Sequence, residues 1–359
     1  MTDTDRLLDT FRALTHINSP SGAEEPLARY LLPVLEDLAF TVDQDEAGNL
    51  IAKAPGVGEP FLLCAHMDTV EPTEGIVVLE TDGVFHTDGS TILGADDKAG
   101  IAVILEAIRR AERRPPLDVV FTVHEEGGLH GAKALDLKRL RARQGLVLDS
   151  GGPIGTLVTG APSQVKVTAR IHGVAAHAGG SPEKGVNAIV LAAQAIARMT
   201  LGRIDGETTA NIGVIRGGQA TNIVPDLVEV WGEARSHDEA KLSAQAESMK
   251  RALEETAAAG GGRAEVEITD SYHRFRIPAD DLLVQTFSRV AEGAGFPPTT
   301  VRGGGGSDAN IFNAKGLTCA NMSMGMANSH GKDEYVRAED MEQGTVLLTA
   351  LLEHLAGPG

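Results

Sequence analysis

The stretch that most constrains this chain is Phe61-Leu62-Leu63-Cys64-Ala65-His66-Met67-Asp68, an apolar run of strand length that stops at His-x-Asp. In an open α/β sheet, functional groups gather outside the carboxyl ends of the strands. Period-two geometry puts His66 and Asp68 on the same side of the strand. A metal-bound histidine gives its other ring N–H to a carboxylate or a backbone carbonyl. The same residues also fit a strand-end histidine followed by a turn-forming aspartate, so the rest of the chain has to decide.

Downstream, the pattern of an apolar strand ending in an acidic or imidazole group recurs. Leu117–Val123 is a near-continuous β-branched run, as expected of a strand buried on both faces, and it ends in His124-Glu125-Glu126-Gly127-Gly128. Gly145–Leu148 ends in Asp149. Ahead of both, Gly94-Ala95-Asp96-Asp97-Lys98 leads into an apolar helix over Ile101–Arg113. There one aspartate can cap the helix while the other is left to reach a metal. Helices alternating with such strands make the sheet mostly parallel, so acidic side chains from several strand ends converge on one crevice. Unpaired, they would raise one another's pKa and repel; a pair of divalent cations removes the conflict.

Earlier elements read as a helix over Asp5–Leu14, a second over Glu24–Ala39 opened by a Ser21/Glu24 capping box, and a hairpin over Thr41–Asp45 and Asn49–Ala54. Near Ala161-Pro162 the texture changes. Val165–Gly173, Thr208–Arg216, Asn222–Arg235 and Ala264–Tyr272 alternate as strands, with helices over Val186–Met199 and Glu239–Ala258. This predicts an α+β unit inserted into the first domain. From Asp280 the α/β pattern returns, with a helix to Glu292, a strand over Thr318–Met324 and a closing helix over Ala338–Leu355. The run Gly303–Gly306 offers backbone N–H groups to an anion but lacks the Gly-Lys-Ser/Thr ending of a P-loop. No Gly-x-Ser-x-Gly elbow is present, which counts against a serine hydrolase.

Composition narrows the partners. Lys+Arg 32 against Asp+Glu 50 leaves a net charge of −18, which argues against nucleic acid and anionic membranes. No apolar stretch reaches the length of a membrane span, and the start of the chain lacks the apolar region of a secretory signal. Cys64 and Cys319 sit in apolar runs and read as reduced core thiols, so a cytoplasmic location is expected.

Taken in order, these motifs resemble the co-catalytic zinc peptidases grouped with peptidase T, a family that also holds acetylornithine deacetylase and the carboxypeptidase G type. The resemblance is carried by Ala65–Val70, Gly94–Gly100, Glu125-Glu126-Gly127, Leu148–Gly151, Ala175–Gly179, Thr221–Asp226 and Asn328–Gly331. It spans nearly the whole chain, and Gly94–Gly100 is most like the tripeptidase branch. The resemblance implies that His66 and Asp149 hold one metal, Glu126 and His330 the second, and Asp96 bridges both. It makes Asp68 the partner of His66, Glu125 the general base and His177 the oxyanion donor. Arg235 would grip a substrate carboxylate, with Asn222 near the same pocket.

The implied fold is a mostly parallel α/β catalytic domain over 1–161 and 276–359, with an inserted α+β lid over 162–275 that mediates homodimerisation. Asp, Glu and His without cysteine suit two Zn²⁺ ions, with Co²⁺ or Mn²⁺ as alternatives. The expected activity is hydrolysis of short peptides from an end. The alternatives are an amidohydrolase acting on N-acyl amino acids and, in another class, a non-catalytic peptide-binding protein.

Overall fold

The computed structural model describes residues 2–357, which divide into two compact units. One comprises the chain up to Gly160, Arg276–Gly303 and the residues from Ser307 on; the other is Ala161–Phe275 with Gly304–Gly306.

The first unit is built on a mixed, mostly parallel sheet. Thr41–Gln44 and Leu50–Ala54 form the expected hairpin at one edge, and Leu50–Ala54 runs antiparallel to Leu117–Thr122. Next come Phe61–His66, Gln144–Gly151 and Thr318–Met326, each parallel to its neighbour. Thr156–Ala161 follows antiparallel and carries Thr299–Arg302 in parallel at its side. Phe61–His66 and Leu117–Thr122 are buried at every position, which is why they read as unbroken apolar runs rather than alternating ones. The helix Ala95–Arg110 lies against Phe61–His66 and packs on Ala338–Leu355 and Asp3–His16. Its buried residues Ile101–Ile108 face this packing all round.

The second unit is an antiparallel sheet in the order Gly202–Arg203, Thr208–Gly217, Leu227–Ser236, Ser163–His172, Arg263–Tyr272. Helices Ala188–Ala197 and Glu239–Ala259 cover one face, closing a core of Val167, Ile171, Val228, Val230, Leu191, Met249 and Leu253. Strand alternation supplies that face, and each fully buried aliphatic side chain there contributes roughly 1.5–3 kcal/mol.

Three local expectations change. Ser21 caps no helix: the second helix starts at Glu25, with Pro26 in its first turn, and the Ser21 hydroxyl donates to Asp68 instead. The predicted strand Asn222–Arg235 breaks at Pro225-Asp226 into Ile223–Val224 and Leu227–Ser236, which join different sheets. Proline brings no N–H to a ladder. The short helix Asp308–Ala314 and the strand Thr156–Ala161 lack a periodicity strong enough to be read in advance. Among the described residues, no helix is long and apolar enough to cross a membrane.

Candidate metal centre

Sheet order explains how distant residues meet. Across the parallel strands, Leu117–Thr122 leads to Glu125 and Glu126, Phe61–His66 ends in His66, Gln144–Gly151 carries Asp149, and Thr318–Met326 leads to His330. All four deliver their side chains at carboxyl ends, where an open α/β sheet places its sites. Asp96 comes from the turn that opens the helix Ala95–Arg110. Asp96 and Asp97 are non-helical, and their carboxylates part company. Asp97 accepts the Gly100 N–H at 3.2 Å and the His66 N–H at 3.3 Å, a capping and bracing role. Asp96 faces the crevice.

Asp96 has one oxygen toward each imidazole. Its Oδ1 is 3.1 Å from His66 Nε2, and its Oδ2 is 3.6 Å from His330 Nε2. His66 Nε2 is also 3.8 Å from Asp149 Oδ1, and His330 Nε2 is 2.8 Å from Glu126 Oε1. Among the described residues, three donor groups have their ligand atoms within 4.8 Å of one another: His66–Asp96–Asp149, Asp96–Glu126–His330 and His66–Glu125–Glu126. The first two share Asp96. The buried Glu126 Oε1 has no hydrogen-bond partner although His330 Nε2 lies 2.8 Å away. A buried carboxylate oxygen left without a hydrogen-bond partner beside an imidazole nitrogen suits a cation. Oxygen and imidazole donors, with the buried Cys64 thiol turned instead toward Asp308 at 3.8 Å, match Zn²⁺, Co²⁺ or Mn²⁺ chemistry.

The electrostatics agree. Burial pushes Asp149 well above the ordinary carboxylate range, and the Asp96 charge adds to the shift. Burial does the same to Glu125, reinforced by Asp308, Glu126 and Asp96 against the opposing pull of His66. For Asp96, burial is overcome by the hydrogen bonds of His330 and His66, which hold it far below its usual value. Asp96 and Glu126 together push His330 up to about 10. Such a cluster in a crevice is a functional-site signature.

Asp68 braces the centre in a way its spacing does not reveal. His66 Nδ1 lies 2.8 Å from the Asp68 backbone carbonyl, while the nearer carboxylate oxygen is 3.5 Å away. The carboxylate instead accepts the Glu125 N–H at 2.8 Å, the Glu126 N–H at 3.1 Å and the Ser21 hydroxyl at 2.6 Å. It thereby aims the glutamate pair. The His124 ring lies against that of His130, with centroids 4.6 Å apart and the planes tilted by 49°, and the His124 backbone N–H donates to Glu24 at 2.9 Å. Glu125 is 8% exposed.

The remaining expected residues lie in the second unit. His177 is exposed, and its Nδ1 accepts the N–H groups of Gly179 at 3.1 Å and Gly180 at 3.0 Å. With Nδ1 an acceptor, the neutral ring carries its proton on Nε2. Asn222 offers its carbonyl to the Ala178 N–H at 3.0 Å, so it braces the His177 turn. Arg235 lies on a different strand, in a double ion pair with Glu233 at 2.8 and 3.0 Å. It lines a cavity of about 360 Å³ with Thr209, Asn211, Glu233 and Gly304. The Gly303–Gly306 run has a packing reason at one position: a Cβ on Gly306 would fall 2.2 Å from the Tyr272 ring.

Asp308 was passed over in sequence. It is 1% exposed, its Oδ2 accepts the Thr122 hydroxyl at 2.5 Å, and its Oδ1 has no partner. Burial lifts its pKa to about 6. Only its position directly after a glycine run and a capping serine hinted at a role.

The family model "Peptidase family M20/M25/M40" matches residues 62–354. The crystal structure of the aminopeptidase PepT from Bacillus cereus is 41% identical, covering 98% of this chain and 99% of that one, with a TM-score of 0.85. A tripeptidase structure from Staphylococcus aureus is 36% identical, covering 99% of both chains, with a TM-score of 0.90. Peptidase T of an Exiguobacterium species is 31% identical, over 97% of this chain and 95% of its own length. The chain belongs to the M20/M25/M40 peptidase family.

Proposed function

We propose that this protein is a metal-dependent exopeptidase that hydrolyses short peptides, of the tripeptidase or aminopeptidase type. The observation that carries the reading is Asp96, whose two oxygens face two separate imidazole–carboxylate clusters. His66 and Asp149 would hold one divalent cation and Glu126 and His330 the other, with Asp96 contributing a carboxylate oxygen to each; Zn²⁺ is the metal proposed. The relatives named peptidase T and tripeptidase support the substrate class. When bound, two such cations supply Lewis acidity toward the scissile carbonyl and make water a stronger acid.

The protein's own groups do the rest. Glu125, fixed through its N–H by Asp68, takes a proton from the attacking water and returns it to the leaving amine. His177 offers an Nε2–H to the developing oxyanion; a well-placed donor of this kind is worth roughly 3–4 kcal/mol. Arg235 binds the terminal carboxylate of the peptide, which sets the length of chain accepted.

A homodimer formed through the inserted unit is also proposed. Ile189 and Val190 on its helix, and Val214, Ile215, Ile223 and Leu227 on its strands, are exposed apolar side chains, more than scattered surface residues require. Two buried, unpaired thiols, Cys64 and Cys319, support a reducing, cytoplasmic setting.

The test is an assay of free tripeptides, dipeptides and N-acetyl amino acids, with and without a chelator. The expected result is hydrolysis of tripeptides that is lost on chelation and restored by Zn²⁺ or Co²⁺. Preferential release of acetate from N-acetyl amino acids would replace the peptidase reading with a deacylase one. Binding of peptides without turnover in the metal-loaded protein would replace both.

A further inference from the structure

A second buried carboxylate touches the centre from behind. Glu334 is 1% exposed, and no part of the chemistry above uses it. Its Oε2 accepts the Leu93 N–H at 2.9 Å and the Gly94 N–H at 2.7 Å, and its Oε1 accepts the Asp96 N–H at 3.0 Å. These three donors line the turn that presents Asp96, where Gly94 has a φ of +71°.

Glu334 also belongs to the loop that presents His330. The Glu334 N–H bonds to the Gly331 carbonyl at 3.1 Å, the Gly331 N–H to the Asn328 carbonyl at 3.0 Å, and the loop is closed by paired 3.0 Å bonds between Ala327 and Tyr335. The Asn328 amide holds Asp333 at 2.9 Å. One side chain thus ties together two ligand-bearing loops 238 residues apart.

The arrangement bears unequally on the two clusters. Asp96–Glu126–His330 draws residues from both tied loops, whereas His66 and Asp149 sit on strands held by the sheet itself. A carboxylate is the side chain this job needs, since it presents acceptors on both oxygens. Glutamine would turn an NH₂ toward one set of backbone donors.

We propose that Glu334 is a positioning residue of the metal centre, setting the Asp96–His330 spacing and hence the affinity of the cation position formed by Asp96, Glu126 and His330. The proposal rests on the paired-cation reading above. It is tested by stripping wild type, Glu334→Gln and Glu334→Asp with a chelator, then titrating each with Co²⁺ alone while following visible absorption and counting bound equivalents.

Wild type takes up two equivalents. Glu334→Gln takes up the first with near-wild-type affinity and the second roughly 10–100-fold more weakly, the usual penalty for losing support around a ligand. Glu334→Asp, which keeps the charge, shows a smaller loss and serves as the readout should the glutamine variant fail to fold. Unchanged affinity for the second equivalent, with only a lowered melting temperature, overturns the proposal, as do equal losses at both positions. Failure of wild type itself to bind two cations overturns the paired-cation reading, and this proposal with it.

Discussion

Replacing Asp308 with asparagine should make the metal-stripped protein more stable at neutral pH, although it removes a charged residue from the middle of the fold. Asp308 is buried with one oxygen unpartnered. Burial raises its pKa from 3.8 to about 6, with the Thr122 hydrogen bond and the His66 charge resisting and the Asp68 charge adding to the rise. Below pH 3.8 the folded and unfolded chains both carry the proton, and ionisation costs nothing. As pH rises toward 6, the unfolded chain releases the proton that the folded chain still binds, so stability falls. Above 6 both are ionised and the cost is constant. Some two units at about 1.36 kcal/mol each give a ceiling of about 3 kcal/mol.

Asparagine imitates the protonated acid, so the stability gap between Asp308→Asn and wild type reads this cost directly. Urea unfolding of the chelated proteins should show a gap of about 1.5 kcal/mol at pH 5 that widens to about 3 kcal/mol at pH 7.5. A variant less stable than wild type at pH 7.5 would refute the reasoning, as would a gap independent of pH. The first result would mean that the Asp308 carboxylate is stabilised in the fold, and the second that folding does not shift its pKa.

Glu125→Ala should keep both cations yet lose roughly 10²–10⁴-fold in turnover, measured by metal analysis beside a tripeptide assay; near-normal activity would remove Glu125 from its role. Arg235→Ala should raise KM for peptides with a free carboxylate by about 10–100-fold, the loss of a charge-assisted contact, while sparing C-terminally amidated ones. Equal losses on both substrates would end the carboxylate-clamp idea. Gly100→Ala should destabilise the first unit by about 1–3 kcal/mol, because its Cβ would fall 2.3 Å from Asp97 Oδ1 and 2.4 Å from the Leu148 carbonyl; a calorimetric melt checks it. Ile215→Glu should shift the protein from dimer to monomer in sedimentation, and an unaltered mass would move the interface elsewhere.

The α/β class and the strand-end placement of His66, Glu126 and Asp149 were legible in sequence for one physical reason, whereas Asp96 and His330 entered through the family resemblance. A metal ligand must be one of a few residue types, and a parallel strand buried on both faces leaves an apolar run whose end is easy to see. Leu117–Thr122 running into Glu125-Glu126 shows both signals at once. Groups that support the centre leave no such trace. Ser21 looked like a helix cap because a hydroxyl three residues before a glutamate usually is one, yet the fold brings Asp68 to it from 47 residues away.

Asp68 shows the same limit from the other side. Its spacing from His66 suggested a carboxylate–imidazole contact, and the backbone carbonyl makes that contact instead, which leaves the carboxylate for the N–H groups of Glu125 and Glu126. Backbone N–H groups are identical at every non-proline position, so no pattern of residue types marks which ones a carboxylate will meet. Glu334 lies just past the Asn328–Gly331 motif, and nothing in the sequence distinguishes it from its neighbour Asp333, which is exposed and bonded to Asn328. What separates the two is burial and three donors from a turn 238 residues earlier. A sequence therefore discloses the atoms that touch a cation before it discloses those that hold them in place, because the first are chosen by chemistry and the second by topology.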